Sequence, residues 1–117
     1  MRLAIIGSRG FNDVGLLNDI LNPLVFEVTL VVSGGARGAD LMGQIWAENH
    51  GIDTLIFAAD WNKNGKSAGF IRNEDIIKNC DKAIAFWDGI SNGTRHSISL
   101  CEKHNKPCRI INYENKR

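Results

Sequence analysis

Short apolar runs alternate with longer amphipathic segments along almost the whole chain. The apolar runs are rich in β-branched residues and predict buried strands at 3–6, 29–32, 54–57, 83–86 and 109–111. The segments between them place apolar residues on one helical stripe and predict helices at 13–21, 39–49, 67–79 and 94–104. Strict alternation is typical of a parallel sheet with right-handed crossovers and helices on both faces. We therefore predict an α/β fold, a Rossmann-like three-layer αβα sandwich with a five-stranded, mainly parallel sheet.

Local start and stop signals agree with these helices. Asn12 or Asp13 is suited to cap the first helix, Ser67 the third and Thr94 the fourth, because their side-chain oxygens accept bonds from free N–H groups. Gly51 lies just past the second helix, where glycine often ends a helix. These signals support the predicted order of elements.

Length and composition limit the protein class. The 117 residues suit one domain, which we place at 1–112, followed by a polar C-terminal tail at 113–117. Fourteen basic and thirteen acidic residues give a net charge of +1, which requires neither nucleic acid nor a membrane as partner. The chain shows no signal peptide and no apolar run of about 18 residues, so we expect a cytoplasmic protein without a membrane partner. Three cysteines without a Cys-x-x-Cys pair predict no disulfide framework, and we expect no metal and no cofactor.

Glycine-rich polar turns follow four of the predicted strands. The carboxyl ends of parallel strands line one rim of a sheet, where ligands bind at the point at which the strand order reverses. Glycines there let the backbone approach a ligand, and a following helix N-terminus offers N–H groups to an anion. The candidate ligand-binding residues on this rim are Gly7, Ser8, Arg9, Gly34, Gly35, Arg37, Asp40, Asp60, Trp61, Lys66, Ser67, Arg72, Asn73, Asp88, Gly93 and Thr94.

Two familiar phosphate-binding motifs are excluded. The segment 34–40 follows the second strand and lacks the Gly-x-Gly-x-x-Gly spacing of dinucleotide-binding proteins. The sequence Gly65-Lys66-Ser67 resembles the end of a P-loop, but Asp60 stands where that loop needs a glycine. A lysine and a serine at a helix start still suit an anion.

Several candidates have a structural alternative. Asp40 suits a cap of its own helix, and contact with a ribose is the second interpretation. Trp61 and Trp87 suit the core, and stacking on a base is the second interpretation. Asp88 either caps a turn or faces the site. His96 is the histidine nearest the rim.

Taken together, these segments resemble the SLOG superfamily of Rossmann-like nucleotide-ligand proteins. The resemblance is strongest to its small bacterial and phage branch, which includes YspA-like proteins. It implies a domain that binds a nucleotide or a nucleotide-derived signalling molecule. The segments that carry it are 7–9, 32–40, 59–61, 65–73, 85–89 and 91–94.

Two other groups are similar in part. In the Lonely Guy phosphoribohydrolases, a helix arginine corresponds to Arg72, and a Gly-Gly-x-Gly-Thr-x-x-Glu loop corresponds to the region of Gly93 and Thr94. That alignment puts Ser97 where the catalytic glutamate would be, so Asp88 is the candidate replacement carboxylate for a hydrolase. The DNA-processing protein A family, which binds single-stranded DNA, has a stretch similar to 33–40.

The sequence therefore favours binding of a nucleotide-derived small molecule, for sensing or for sequestration. One version is a phage-encoded, anti-defence sponge for a cyclic nucleotide or an ADP-ribose-type immune signal. The alternatives are an N-glycosidic or phosphoester hydrolase of phosphoribohydrolase type and a single-stranded DNA-binding protein. The near-neutral charge and short length argue against nucleic acid as a partner. The resemblance also implies a homo-oligomer.

Overall fold

The computed structural model describes residues 1–114. Within that part of the chain, no helix is both long and apolar enough to cross a membrane. The strands are β1 (Arg2–Gly7), β2 (Leu30–Ser33), β3 (Asp53–Ile56), β4 (Lys82–Trp87) and β5 (Cys108–Asn112). The helices are α1 (Val14–Leu21), α2 (Ala39–Asn49), α3 (Trp61–Asn64), α4 (Ala68–Lys78) and α5 (Asn92–Lys103), with 3-10 turns at Asn22–Leu24 and Gly65–Ser67.

The strands form one sheet in the order β3-β2-β1-β4-β5. Every neighbouring pair is parallel, so the predicted Rossmann-like α/β fold is confirmed, with a sheet that is parallel throughout. The chain adds β2 and β3 on one side of β1 and then returns to place β4 and β5 on the other side. The strand order therefore reverses between β1 and β4, which is where this type of sheet leaves a crevice at the carboxyl ends.

Each face of the sheet has its own apolar core. Leu3 and Ile5 of β1 pack with α1 and α2 on one face. Ala4 and Ile6 of the same strand pack with α4 and α5 on the other face. Successive side chains of a strand point to opposite sides, so a strand covered by helices on both faces is apolar at every position. This arrangement confirms the three-layer αβα sandwich.

The start of the first helix agrees with the sequence, whereas the third predicted helix is divided. The N–H of Leu16 donates to Oδ1 of Asp13 at 3.0 Å, so Asp13 caps α1. The third region begins earlier, with the short helix α3, because the N–H of Lys63 donates to Oδ1 of Asp60 at 3.0 Å. Ser67 precedes α4, but its hydroxyl makes no capping bond within the described residues.

The last helix begins two residues before its predicted start. The residue at its N-cap position is Ser91, so the assignment of Thr94 as the cap is wrong. Thr94 is buried in the first turn of α5 instead.

The end of the described chain is anchored to the sheet. The N–H of Tyr113 donates to the carbonyl oxygen of Trp87 at 3.1 Å. The Tyr113 ring packs edge-on against Phe11, with ring centroids 4.8 Å apart. Residues 115–117 of the predicted polar tail lie outside the described residues.

Substitutions at two glycines in helices can test the packing between α2 and the sheet. A Cβ on Gly43 would lie 2.6 Å from Cγ2 of Ile5, whereas a Cβ on Gly15 of α1 would meet only Oδ1 of Asp13 at 3.6 Å. We predict that Gly43→Ala lowers the free energy of unfolding by about 1–3 kcal/mol through overpacking. The control Gly15→Ala should raise it by up to about 1 kcal/mol, because alanine favours helix. Urea denaturation measures both, and a Gly43→Ala variant as stable as the wild type would contradict the packing.

Candidate functional site

A cavity of about 330 Å³ opens at the carboxyl ends of β1 and β4. Its walls come from the turn after β1, the loop after β2 with the start of α2, the second and third turns of α4, and the start of α5. Its position matches the reversal of strand order, where ligands bind in sheets of this type. The cavity is lined by Ile6, Gly7, Ser8, Arg9, Gly10, Ala36, Asp40, Arg72, Asn73, Ile76, Ser91, Gly93, Thr94 and Ser97.

Hydroxyl and carboxylate groups join the turns that follow β1 and β4. The Ser8 and Ser91 hydroxyl oxygens are 3.0 Å apart. The Ser91 hydroxyl donates to the Asp88 carboxylate, at 2.9 Å from Oδ1 and 2.8 Å from Oδ2. The N–H of Asp88 donates to the Ser8 hydroxyl oxygen at 3.3 Å. These bonds hold the floor of the cavity in one arrangement.

The Asp88 carboxylate is occupied by its own turn. Its Oδ1 accepts bonds from the N–H groups of Ile90 at 2.9 Å and Ser91 at 2.8 Å. Burial acts to raise the pKa of Asp88, but these bonds outweigh it and hold the pKa below its ordinary value. Of the two interpretations of Asp88, the geometry favours the cap of the turn.

The loop after β2 approaches the turn after β1 at Gly38. The φ angle of Gly38 is +87°, a region that favours glycine. A Cβ there would lie 2.7 Å from the Arg9 carbonyl oxygen and would also clash with the Ser8 carbonyl oxygen. A glycine at this position therefore lets α2 begin directly beside the cavity.

Asp40 is a buried carboxyl group at the back of the cavity. It lies in the first turn of α2, where Gly38 is the N-cap, so Asp40 is not the cap of its helix. Its side chain is part of a residue only 7% exposed, and a Cβ on Gly34 would lie 2.8 Å from Oδ2 of Asp40. Gly34 thus makes room for this carboxylate.

Burial shifts the protonation of Asp40. Loss of hydration raises its pKa to about 6. The groups that oppose the rise are, in decreasing order, the Arg72 guanidinium, the N–H groups of Gly34 and Gly7, and Arg9. A carboxyl group that titrates near neutral pH inside a cavity is typical of a functional site.

Arg72 and Asn73 form the wall contributed by α4. The Arg72 side chain donates from Nη1 to the Gly34 carbonyl oxygen at 3.2 Å and from Nε to Oδ1 of Asn73 at 3.1 Å. Nδ2 of Asn73 lies 3.3 Å from Nδ1 of His96. Burial lowers the pKa of His96, which favours the neutral ring, and Nδ1 accepts this bond in the tautomer that carries its proton on Nε2. The contact places His96 at the rim, as predicted from its sequence position.

The N-terminus of α5 faces the cavity. Gly93 and Thr94 of its first turn line the wall, and that turn contains no acidic residue. N–H groups in the first turn of a helix have no partner within the helix and attract anions. This end of α5 is therefore suited to a phosphate group.

Five positively charged residues around the cavity form no salt bridge within the part of the chain that the structure describes. Among the described residues, no carboxylate lies within 4.0 Å of the cationic groups of these five, Arg9, Arg37, Lys63, Lys66 and Arg72. An anion entering the cavity would not have to displace an internal ion pair.

The structure brings half of the sequence-predicted residues into the cavity wall. These are Gly7, Ser8, Arg9, Asp40, Arg72, Asn73, Gly93 and Thr94. Gly34 and Asp88 contact members of that wall without lining it. The candidates outside the wall are Gly35, Arg37, Asp60, Trp61, Lys66 and Ser67.

Six residues line the cavity that the sequence did not predict as ligand contacts: Ile6, Gly10, Ala36, Ile76, Ser91 and Ser97. Ser91 and Ser97 had a usable signal. Ser91 belongs to the segment that resembles SLOG proteins, and Ser97 stands where a related enzyme family carries a carboxylate. Ala36 also lies in one of those segments, whereas Ile6, Gly10 and Ile76 had no such signal.

The chain is similar to proteins of one known family. Residues 1–64 match the sequence profile of the YspA, cpYpsA-related SLOG family. The gene 61 protein of Mycobacterium phage D29 is 35% identical over 98% of this chain and 98% of its own length. The chain belongs to the YspA, cpYpsA-related SLOG family. The resemblance to a SLOG branch with phage members is thereby confirmed.

Two solved structures share the fold of this SLOG protein. DNA processing protein A from Streptococcus pneumoniae has a TM-score of 0.81 at 17% identity, covering 96% of this chain and 50% of its own. DNA processing protein A from Helicobacter pylori has a TM-score of 0.73 at 23% identity, covering 94% of this chain and 64% of its own. The SLOG chain thus spans half to just under two thirds of these proteins.

The H. pylori structure corrects one expectation. It was described for its single-stranded DNA binding mode. The prediction against nucleic acid as a partner is therefore wrong, because a protein with this fold binds single-stranded DNA. The SLOG family and these neighbours indicate ligands related to nucleotides or DNA. A net charge near zero was a poor guide, because it does not show that Arg9, Arg37, Lys63, Lys66 and Arg72, which form no salt bridge among the described residues, lie around the cavity.

The two aspartates of the site should give opposite pH dependences. The pKa of Asp40 is raised from 3.8 to about 6, so its contribution to stability is present below pH 3.8 and is lost as the pH rises through 6, a change of about 3 kcal/mol. The pKa of Asp88 is lowered, so its contribution is present at neutral pH and is lost as the pH falls.

We therefore predict that Asp40→Asn gains stability relative to the wild type as the pH rises from about 4 to about 7. Asp88→Asn should instead lose stability relative to the wild type as the pH rises towards about 4 from below, because the pKa of Asp88 in the folded protein lies below 3.8. Chemical denaturation at several pH values measures both trends. Parallel curves for the wild type and Asp40→Asn would contradict the burial of a titrating carboxyl group.

Proposed function

We propose that this SLOG protein binds a phosphorylated nucleotide, or a molecule derived from one, in the cavity between β1 and β4. The observation that carries the proposal is a set of unpaired cations around a cavity whose wall contains a helix N-terminus. Arg9 and Arg72 supply planar guanidinium groups that suit phosphate oxygens. Gly93 and Thr94 supply the first turn of α5.

The dimensions of the cavity support a ligand of this size. Small-molecule sites typically measure about 300–1,000 Å³, and this cavity measures about 330 Å³. That volume suits one nucleotide unit. The buried carboxyl group of Asp40 is placed to accept a bond from a hydroxyl or amino group of the ligand, as a ribose or base would offer.

The side chains support binding more than catalysis. The Asp88 carboxylate accepts three bonds from its own turn, and its pKa is lowered by them, so it is a poor general acid. Ser97, which lines the wall, has no carboxyl group that could act as an acid or a base. We therefore propose that the protein senses or sequesters its ligand. The most specific version of this proposal is a sponge for a cyclic nucleotide or an ADP-ribose-type signal.

Single-stranded DNA is the second candidate ligand. It is favoured by the fold shared with H. pylori DNA processing protein A. The cavity opens at the rim, so it can admit a nucleotide that remains part of a strand. The same cations would serve both ligands, and affinity for a strand should fall steeply with salt.

We predict that nucleoside phosphates bind and that the free base and nucleoside do not. Calorimetry across a panel of base, nucleoside, mono-, di- and triphosphate measures this. Arg9→Ala should lose about 1.5–3 kcal/mol of binding free energy, the range for a bond to a charged group. Arg109→Ala is the matched control, because Arg109 is exposed on β5 and does not line the cavity. Equal affinity for a base and its phosphorylated forms would refute the phosphate assignment.

We also predict that nucleoside monophosphates are bound without turnover. Incubation followed by chromatography should show no release of base or phosphate above the uncatalysed level. Turnover that is lost in Asp88→Asn would overturn the binding role and make Asp88 the catalytic carboxylate. Turnover lost only in Asp40→Asn would assign that role to the buried carboxyl group instead.

A further inference from the structure

Two large aromatic side chains are exposed beside the cavity. Trp61 of α3 and Phe70 of α4 are each 56% exposed. Large aromatic rings usually bury most of their surface, and exposed ones next to a binding site often mark a contact surface. Neither ring lines the cavity.

Contacts within the protein place Phe70 next to the cavity and Trp61 against the same helix, α4. Phe70 packs edge-on against His96, with ring centroids 4.6 Å apart. His96 in turn lies 3.3 Å from Nδ2 of Asn73, which lines the cavity. Trp61 lies along α4, because a Cβ on Gly69 would be 3.6 Å from its Cη2 atom. The two rings therefore occupy the α3–α4 side of the rim.

The other two tryptophans have hydrogen-bond partners within the protein. Trp46 is 3% exposed and donates from Nε1 to Oδ1 of Asn22 at 2.9 Å. Trp87 is half-buried, donates to the Ser91 carbonyl oxygen at 3.1 Å and lies under the Arg95 guanidinium. Within residues 1–114 no such bond involves the Trp61 indole. Trp46 and Trp87 thus have structural roles within the fold, whereas the Trp61 ring remains exposed.

Positive charge accompanies these rings. Lys63 follows Trp61 on α3, and Lys66 lies in the 3-10 turn before α4. Both are exposed, and neither has a carboxylate partner within 4.0 Å among the described residues. Aromatic rings beside unpaired cations are the combination that binds bases and their connecting phosphates in single strands.

We propose that Trp61 and Phe70 form a stacking surface for a second nucleobase, which is joined through phosphate to the nucleotide held in the cavity. The inference rests on the proposed nucleotide site and specifies its ligand class: a molecule with two bases, not a mononucleotide. Lys63 and Lys66 neutralise the linking phosphate. Such a ligand is either a free dinucleotide or two successive units of a single strand.

Three probes separate these possibilities, each in ribo and deoxyribo form. They are adenosine 5′-monophosphate, the 5′-phosphorylated adenylate dinucleotide, and an oligoadenylate of about ten nucleotides. Calorimetry measures each with the wild type, Trp61→Ala and Arg9→Ala. Phe26→Ala is the control for removing an exposed aromatic ring, because Phe26 is 99% exposed and precedes β2, at the opposite end of the strands.

We expect the dinucleotide to bind about 10-fold more tightly than the monophosphate. Trp61→Ala should abolish most of that gain while leaving monophosphate affinity unchanged, which also shows that the variant folds. Phe26→Ala should change neither affinity. A further gain with the oligonucleotide assigns the site to a strand, and no further gain assigns it to a free dinucleotide.

Two results would overturn the inference. Equal affinity for monophosphate and dinucleotide, with monophosphate binding still weakened by Arg9→Ala, would remove the stacking surface and leave the nucleotide site intact. A dinucleotide gain that survives in Trp61→Ala would do the same. Failure of all probes to bind the wild type would overturn both the stacking surface and the nucleotide site.

Discussion

The reversal of strand order between β1 and β4 is the constraint on which the site depends. The helices that follow β1 and β2 cover one face of the sheet, and those on either side of β4 cover the other face. No crossover therefore closes the space above the carboxyl ends of the two central strands. The bonds among Ser8, Asp88 and Ser91 join the turns across that space and form its floor.

The polar content of the cavity is costly for folding and useful for binding. Asp40 loses hydration on burial, and the chain keeps Gly34 small beside it. Arg72 is held by the Gly34 carbonyl oxygen and by Asn73, not by a carboxylate within 4.0 Å, among the described residues. Its charge is therefore available to an anion. The net charge of the whole chain is only +1 and gives no information about the positive charge around the cavity. The prediction about nucleic acid relied on this net charge and was therefore wrong.

The sequence specified the architecture better than the site. The strands β1, β2 and β4 lie inside the sheet and are covered on both faces, so their apolar runs were recognisable, as was a cap at Asp13. The prediction that all five strands are buried is wrong for β3 and β5, which form the edges of the sheet and are largely exposed. The α3 helix was missed because it has one turn, and the start of α5 was misplaced because Thr94 resembles a cap. The surroundings of Asp40 depend on Arg72 of α4, which donates to the Gly34 carbonyl oxygen beside it, and a contact between such distant segments leaves no local pattern in the sequence.

Amide NMR during a nucleotide titration tests the location of the site most directly. The account predicts that the largest chemical-shift changes occur at Gly7 to Gly10 and at Asn92 to Thr94, with smaller changes along α4. Val14 of α1 and Ile45 of α2, which line a separate apolar groove, should not respond. Changes concentrated on that groove, with none at the ends of β1 and β4, would contradict the account.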